Sequence, residues 1–333
     1  MREALSRREG YGTGAGFRGV SVLALGALLA LVLGGCGGGD GGGGPGDGRV
    51  EVVASYSILG DLVENVGGEK VEVTTLVGPN GDAHTFEPAP SDNAELAEAE
   101  VVFQNGLGFE PWLGDLYESS GSEAARVAVA DPIEPLTIAE EEHGHGGDEH
   151  GEEDHAEVDP HVWHDVDNAV LMVESIRDAL SGADPANAGS YRRNAEEYVS
   201  DLEALDADVR EKVDSIPEDD RVLFTSHDTF GYFAERYGFE VDTALASAST
   251  EAGDPSAGQT AELVEKIERS GVPAIFADNV SDAGVMERIA SEAGVDLAPP
   301  LYTDALGEPG SEGGTYVGMV RYNVSTMSEA LRR

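Results

Sequence analysis

The stretch RVEVVASYSILGDLVENVGGEKVEVTTLV, Arg49 to Val77, holds one complete strand–helix–strand unit. Val50, Val52 and Val53 make a short apolar run of strand type. Ile58, Leu59, Leu62, Val63 and Val66 then recur at helical spacing and stop at Gly67-Gly68, and Val71 to Val77 is again strand-like. Two strands joined through a helix lie parallel in one sheet, because a short turn cannot return the chain to the same edge direction.

The pattern continues on both sides of a long helix. After the turn Gly78-Pro79-Asn80-Gly81 and a loop with His84, Ser91 is the expected N-cap of a helix through Leu96 and Ala99. Val101–Phe103 and Arg126–Ala130 follow as strands, with a short helix at Trp112–Leu116 between them, and a helix runs from His164 through Leu180. Tyr191, Ala195, Tyr198, Leu202, Leu205, Val209, Val213 and Ile216 then mark the longest stripe, ended by Pro217. Beyond it strands at Arg221–Ser226 and Ala274–Ala277 alternate with helices at Phe230–Tyr237, Thr260–Arg269 and Ala283–Ala293, and a last helix spans Tyr316–Leu331. The expected fold is α/β: two lobes, each with a mainly parallel sheet flanked by helices, joined by one long rigid helix. The expected divisions are an N-terminal lobe at 49–186, a linking helix at 187–216 and a C-terminal lobe at 217–333.

The first 48 residues read differently. Arg2, Arg7, Arg8 and Arg18 precede the apolar run Val20–Leu33, which is short for a membrane span, and Leu33-Gly34-Gly35-Cys36 closes it. This resembles a bacterial lipoprotein signal, 1–35, with lipidation at Cys36 and export of the rest. Residues 36–48 are nearly all glycine and form a tether. With Cys36 the only cysteine, a thiolate metal site and an internal disulfide are both excluded.

Charge narrows the function classes. Lys and Arg number 20 against 65 Asp and Glu, a net charge of -45 that repels nucleic acid and anionic lipid. Residues 140–158 concentrate acids with His143, His145, His150 and His155 and contain too little apolar surface to fold alone, but their composition suits weak cation capture.

Four groups stand just past strands or at a helix start: His84, His161 after Asp159-Pro160, His227 and Asp304. Ligands of α/β sheets bind beyond the carboxyl ends of strands, so two facing lobes would bring these groups to one cleft. Three imidazoles and a carboxylate suit tetrahedral zinc, with manganese the alternative. His164 competes as an accessory ligand, since it follows His161 by three residues.

Five stretches carry a family resemblance: GPNGDAHTFEPAPSD (Gly78–Asp92), NGLGFEPWL (Asn105–Leu113), DPHVWHDVDNA (Asp159–Ala169), FTSHDTFGYFAERYG (Phe224–Gly238) and YTDALG (Tyr302–Gly307). They resemble the zinc and manganese solute-binding lipoproteins of bacterial ABC importers, over nearly the whole mature chain. The resemblance implies the metal-type periplasmic-binding-protein fold and metal ligands at His84, His161, His227 and Asp304. It also implies an ABC permease as partner, a lipid anchor on the outer side of the cell membrane, and no catalytic activity. The chain is expected to act as a monomer. The third ligand position can be Glu in manganese binders, so His227 leans toward zinc, and the histidine-rich run resembles that of the zinc-uptake branch. Ala83 departs from the family's proline before the first histidine, and Asp278 is expected to support a ligand or cap an element. The competing functions are an exported zinc metallohydrolase, which would need an open metal position and a general base, and a surface lipoprotein with a structural metal.

Overall fold

The computed structural model describes residues 48–138, 157–245 and 255–332. Cys36, the leader, the glycine tether and His143, His145, His150 and His155 lie outside the described residues. Within the described residues no helix is long and apolar enough to cross a membrane.

The opening stretch forms the centre of the first sheet. Strand β1 (Val50–Tyr56) pairs in parallel with β2 (Val71–Val77) on one side and β3 (Val101–Gln104) on the other, and β3 pairs with β4 (Ala125–Ala128). Helix α1 (Ser57–Gly67) makes the first crossover. The order β2-β1-β3-β4 places β1 where the winding reverses. One face of this sheet is covered by α2 (Pro90–Glu98) and α3 (Leu113–Ser120), through Val53, Leu96, Val102, Leu113 and Leu116. The other face is covered by α1 and α4 (Val166–Ala183).

A short antiparallel pair, β5 (Thr137–Ile138) with β6 (Glu157–Val158), flanks the histidine-rich run and is not legible from strand periodicity. Helix α5 (Ala188–Asp214) is 27 residues long and buries the whole predicted stripe from Tyr191 to Val213. Its apolar face joins the same core as α1, α4 and α9 (Tyr316–Leu331), so the stripe is core packing.

The C-terminal strands form two short parallel pairs linked by a backbone hydrogen bond. Strand β7 (Val222–His227) pairs in parallel with β8 (Glu240–Leu245), and Phe276 N–H donates to Phe224 O at 2.9 Å just beyond β9 (Ala274–Ile275), which pairs with β10 (Asp296–Leu297). Helices α6 (Gly231–Tyr237), α7 (Ala257–Ser270) and α8 (Gly284–Ala293) surround them, with Leu263, Ile267, Ile275, Met286 and Ile289 forming a separate apolar cluster. A parallel sheet and two parallel strand pairs, flanked by helices and connected in sequence by α5, fit the expected α/β class.

Two local expectations are corrected. Ser91 is not the cap of α2: the helix begins at Pro90, whose missing N–H costs nothing at a first turn, and Asp92 Oδ2 accepts the Ala89 N–H at 2.7 Å. His161 opens only a 3₁₀ turn, not the α-helix expected. It precedes a 3₁₀ turn at Val162–His164, and α4 starts only at Val166, where the Asp165 side chain accepts the Asp167 N–H.

The ends of the sheets are tied together by buried hydrogen bonds. Tyr316 hydroxyl donates to Trp163 O at 2.7 Å, and Trp163 Nε1–H donates to Thr303 O at 2.9 Å. Both aromatic side chains are fully buried. Tyr316→Phe leaves the Trp163 carbonyl without that donor in a dry environment, and urea denaturation is expected to show a loss of about 1–3 kcal/mol.

Candidate metal centre

The loop after β2 presents His84 through a local turn. Asp82 Oδ1 accepts the His84 N–H at 2.8 Å, and Trp112 Nε1–H donates to Ala83 O at 2.7 Å. The His84 ring stands edge-on to Phe109, with centroids 4.7 Å apart. The NGLGFEPWL stretch supplies that wall. Gly106, Leu107 and Gly108 all have positive φ, a conformation that strains Leu107 and is held by Glu110, whose carboxylate accepts from Asn105 N–H, Gly106 N–H and the Ser55 hydroxyl. Burial pushes the Glu110 carboxyl above its usual range.

His161 is fixed from behind. Asp159 Oδ1 lies 2.9 Å from its backbone N and 2.8 Å from its Nδ1, and Asn105 Nδ2 donates to the intervening Pro160 carbonyl at 2.9 Å. A Cβ at Gly231 would stand 2.6 Å from Asp159 Oδ2, so this carboxylate occupies space that only glycine leaves. His227, the last residue of β7, is held in the same manner by Asp278 Oδ2 at 2.7 Å from Nδ1. Asp278 follows β9, so this pair joins the end of β7 to the segment after β9. An Nδ1–H donated to a carboxylate leaves Nε2 with a lone pair directed the other way.

Those directions converge. One donor atom from each of His84, His161, His227 and Asp304 lies within 4.8 Å of every other, and all four residues are buried. His84 Nε2 is 3.3 Å from His161 Nε2, and Asp304 Oδ1 and Oδ2 lie 3.3 Å from His161 Nε2 and 3.2 Å from His227 Nε2. Donors this close together could all ligate one ion. Although Asp304 is close enough to both rings to count as ion-paired, His227 Nε2 and both Asp304 oxygens are buried with no directed hydrogen bond. Orphaned lone pairs are costly unless a cation takes them, and this is the fit expected of a metal site.

Electrostatics agree. Burial raises the cost of charging Asp304, but the His227 and His161 rings outweigh it and hold the carboxyl well below its usual range. Burial likewise opposes charge on His161, yet Asp159 and Asp304 raise its imidazole to about 9, and Asp304 and Asp278 raise His227 well above its ordinary value. His84 is the exception: burial lowers it to about 4, against a partial pull from Asp304.

His164 lies outside this group. Its Nε2 is 3.3 Å from the Thr229 hydroxyl, its ring packs on Phe230 at 4.5 Å, and burial lowers it to about 3. Three supporting residues escaped the sequence reading: Asp159, Asn105 and Glu110. Only Asp159 had a signal, its placement two residues before His161, where an Asp side chain reaches a backbone N–H.

Residues 52–330 match the family described as "Zinc-uptake complex component A periplasmic". The chain belongs to this family. A manganese-binding lipoprotein, MntA, of Halalkalibacterium halodurans is 36% identical over 304 residues, covering 91% of this chain and 96% of its own. The MntA of Bacillus subtilis is 35% identical over 320 residues, 95% and 99% of the two chains. Among solved structures, the periplasmic zinc-binding protein TroA of Treponema pallidum aligns with a TM-score of 0.76 at 32% identity, over 86% of this chain and all of its own. A manganese-bound periplasmic metal-binding protein from Candidatus Liberibacter asiaticus aligns with a TM-score of 0.74 at 25% identity, over 85% of this chain and all of its own. Family members are substrate-binding proteins of metal ABC importers, not enzymes, which sets aside the metallohydrolase.

Since Asp278 orients the His227 ring, Asp278→Ala is expected to weaken metal affinity about 10–100-fold in a chelator competition assay, with the fold retained by circular dichroism.

Proposed function

We propose that this chain captures zinc outside the cytoplasmic membrane and delivers it to an ABC permease, with His84, His161, His227 and Asp304 as its ligands. The observation that carries this reading is the convergence of three imidazole nitrogens and an unsatisfied carboxylate in a buried space. A nitrogen-rich set ranks zinc above manganese. Binding is tight and reversible, and a single ion sits between an N-terminal lobe at 49–186 and a C-terminal lobe at 217–333. Residues 1–35 serve as a lipoprotein signal, Cys36 as the lipidated anchor, and the protein works as a monomer beside the permease. His143, His145, His150 and His155 act as accessory capture ligands, and His164 packs beneath the site.

Manganese is the second reading, favoured by one geometric feature and by the relatives. Asp304 turns one oxygen toward His161 and the other toward His227, so both are available to an ion of higher coordination number. The curated relatives quoted above are named for manganese. Calorimetric titration in which zinc displaces bound manganese, together with anomalous diffraction at the zinc edge from protein purified without added metal, supports zinc. Manganese retained against equimolar zinc overturns it.

Binding must also depend on pH, in a window set by this site. An imidazole has to give up its proton to ligate. His161 is raised to about 9 and His227 well above its ordinary value, so binding there displaces protons, whereas burial lowers His84 to about 4. Affinity is therefore expected to rise with pH through neutrality up to about 9 and to fall as pH drops, about tenfold per pH unit for each proton displaced. This window lies above the ordinary histidine range that composition alone suggests. Calorimetry in buffers of different ionisation enthalpy, near pH 7, should show proton release on zinc binding.

A further inference from the structure

Two exposed or half-exposed asparagines sit at the rim of the site and touch neither imidazole nor carboxylate of the cluster. Asn279 follows Asp278, the residue that orients His227. Its Oδ1 accepts the Thr303 N–H at 3.0 Å, and its Nδ2 donates both to Ala305 O and to Asn80 Oδ1, each at 3.2 Å. One side chain thus bonds both residues that flank Asp304, through the Thr303 N–H and the Ala305 carbonyl, and reaches across to the loop that carries His84. The contact is doubled by the backbone, since Asn80 N–H donates to Leu306 O at 2.8 Å. Asn80 has φ 56°, a left-handed conformation that Asn tolerates better than most residues.

Resting on the ligand set proposed above, we propose that Asn80 and Asn279 form a clasp that closes the His84 loop over the Asp304 loop, and that the ion leaves only after this clasp opens. The reasoning is positional. His161, His227 and Asp304 are fully enclosed and fastened from behind, whereas His84 is the most exposed of the four and belongs to a loop whose bonds to the second sheet include these at Asn80. The bond at the rim is between neutral groups and is partly open to water, so it is weak enough to break on the time scale of delivery. Its loss frees the His84 loop without disturbing the carboxylates behind His161 and His227. Asn279 and Asn80 are positioning residues, acting through the loops they join.

The test is stopped-flow release of zinc, and separately of manganese, to a chromophoric chelator. Asn80→Gly keeps the left-handed backbone and the backbone bond to Leu306 but removes the side-chain acceptor. Release is expected to accelerate about fivefold, the worth of one neutral hydrogen bond, with association changed less than about twofold. Asn80→Asp retains the acceptor oxygen and should release at close to the parent rate. In an Asn279→Ala background, Asn80→Gly should add nothing. An unchanged release rate in Asn80→Gly, or an equal effect of the two Asn80 substitutions, overturns the clasp. His84→Ala separates this from the ligand set. Lost affinity there, with unaltered release in Asn80→Gly, sinks the clasp alone, whereas full affinity in His84→Ala removes the ligand set and the clasp with it.

Discussion

A carboxylate that is buried without a hydrogen-bond donor constrains everything around it. Asp304 is fully enclosed, and neither of its oxygens receives a directed hydrogen bond. Enclosing an unpaired carboxylate costs several kcal/mol, so its surroundings must supply positive charge. Here the His161 and His227 rings do so, both shifted upward against burial, His161 by Asp159 and Asp304 and His227 by Asp304 and Asp278. The same lone pairs suit a divalent ion, and protons and metal are therefore alternative cations for one set of donors. Reversible carriage follows from that exchange more directly than from any large motion of the fold.

The scaffold serves this constraint by fastening the peptide groups around the carboxylate. Tyr302 is bonded in both directions to Asn323, Thr303 receives Trp163 on its carbonyl and offers its N–H to Asn279, and Leu306 N–H donates to Ser57 Oγ. The partners come from β9's end, from the turn before α4, from the start of α1 and from α9. A site assembled from so many elements is held in place by the packing of the whole molecule. The shared apolar core of α1, α4, α5 and α9 is what keeps those elements in register. His84 differs, because it sits on one loop at the margin and is the donor whose position is easiest to change.

Much of the architecture was legible in the chain because it depends on local periodicity. Strand runs beginning at Val50, Val71, Val101 and Arg221, and the three- and four-residue steps from Tyr191 to Val213, express burial of one face, which the residue pattern records directly. Capping was read less well. Ser91 looked like a cap by residue type, but Pro90 already suits the first turn and Asp92 satisfies the free N–H. The break after His161 was hidden because a 3₁₀ turn and an α-helix share nearly the same three-residue apolar spacing. The β5–β6 pair is too short to show any period.

The residue pattern alone gave the fold class and the alternation of strands and helices, and the resemblance of five motifs to metal-binding lipoproteins pointed to His84, His161, His227 and Asp304 as the candidate ligands. Only the tertiary structure decided that these donors meet at one point, that His164 turns away toward Thr229 and Phe230, and that Asp159 and Asp278 direct the two inner imidazoles. It also decided the protonation of the site: two histidines are raised and one lowered, although all three are the same residue type. The reason is physical. Periodicity is a property of neighbours along the chain, whereas the meeting of the donors and the balance of burial and charge at each ring depend also on groups such as Asp278 and Asp304, far away in sequence and brought within about 3 Å of the rings by folding.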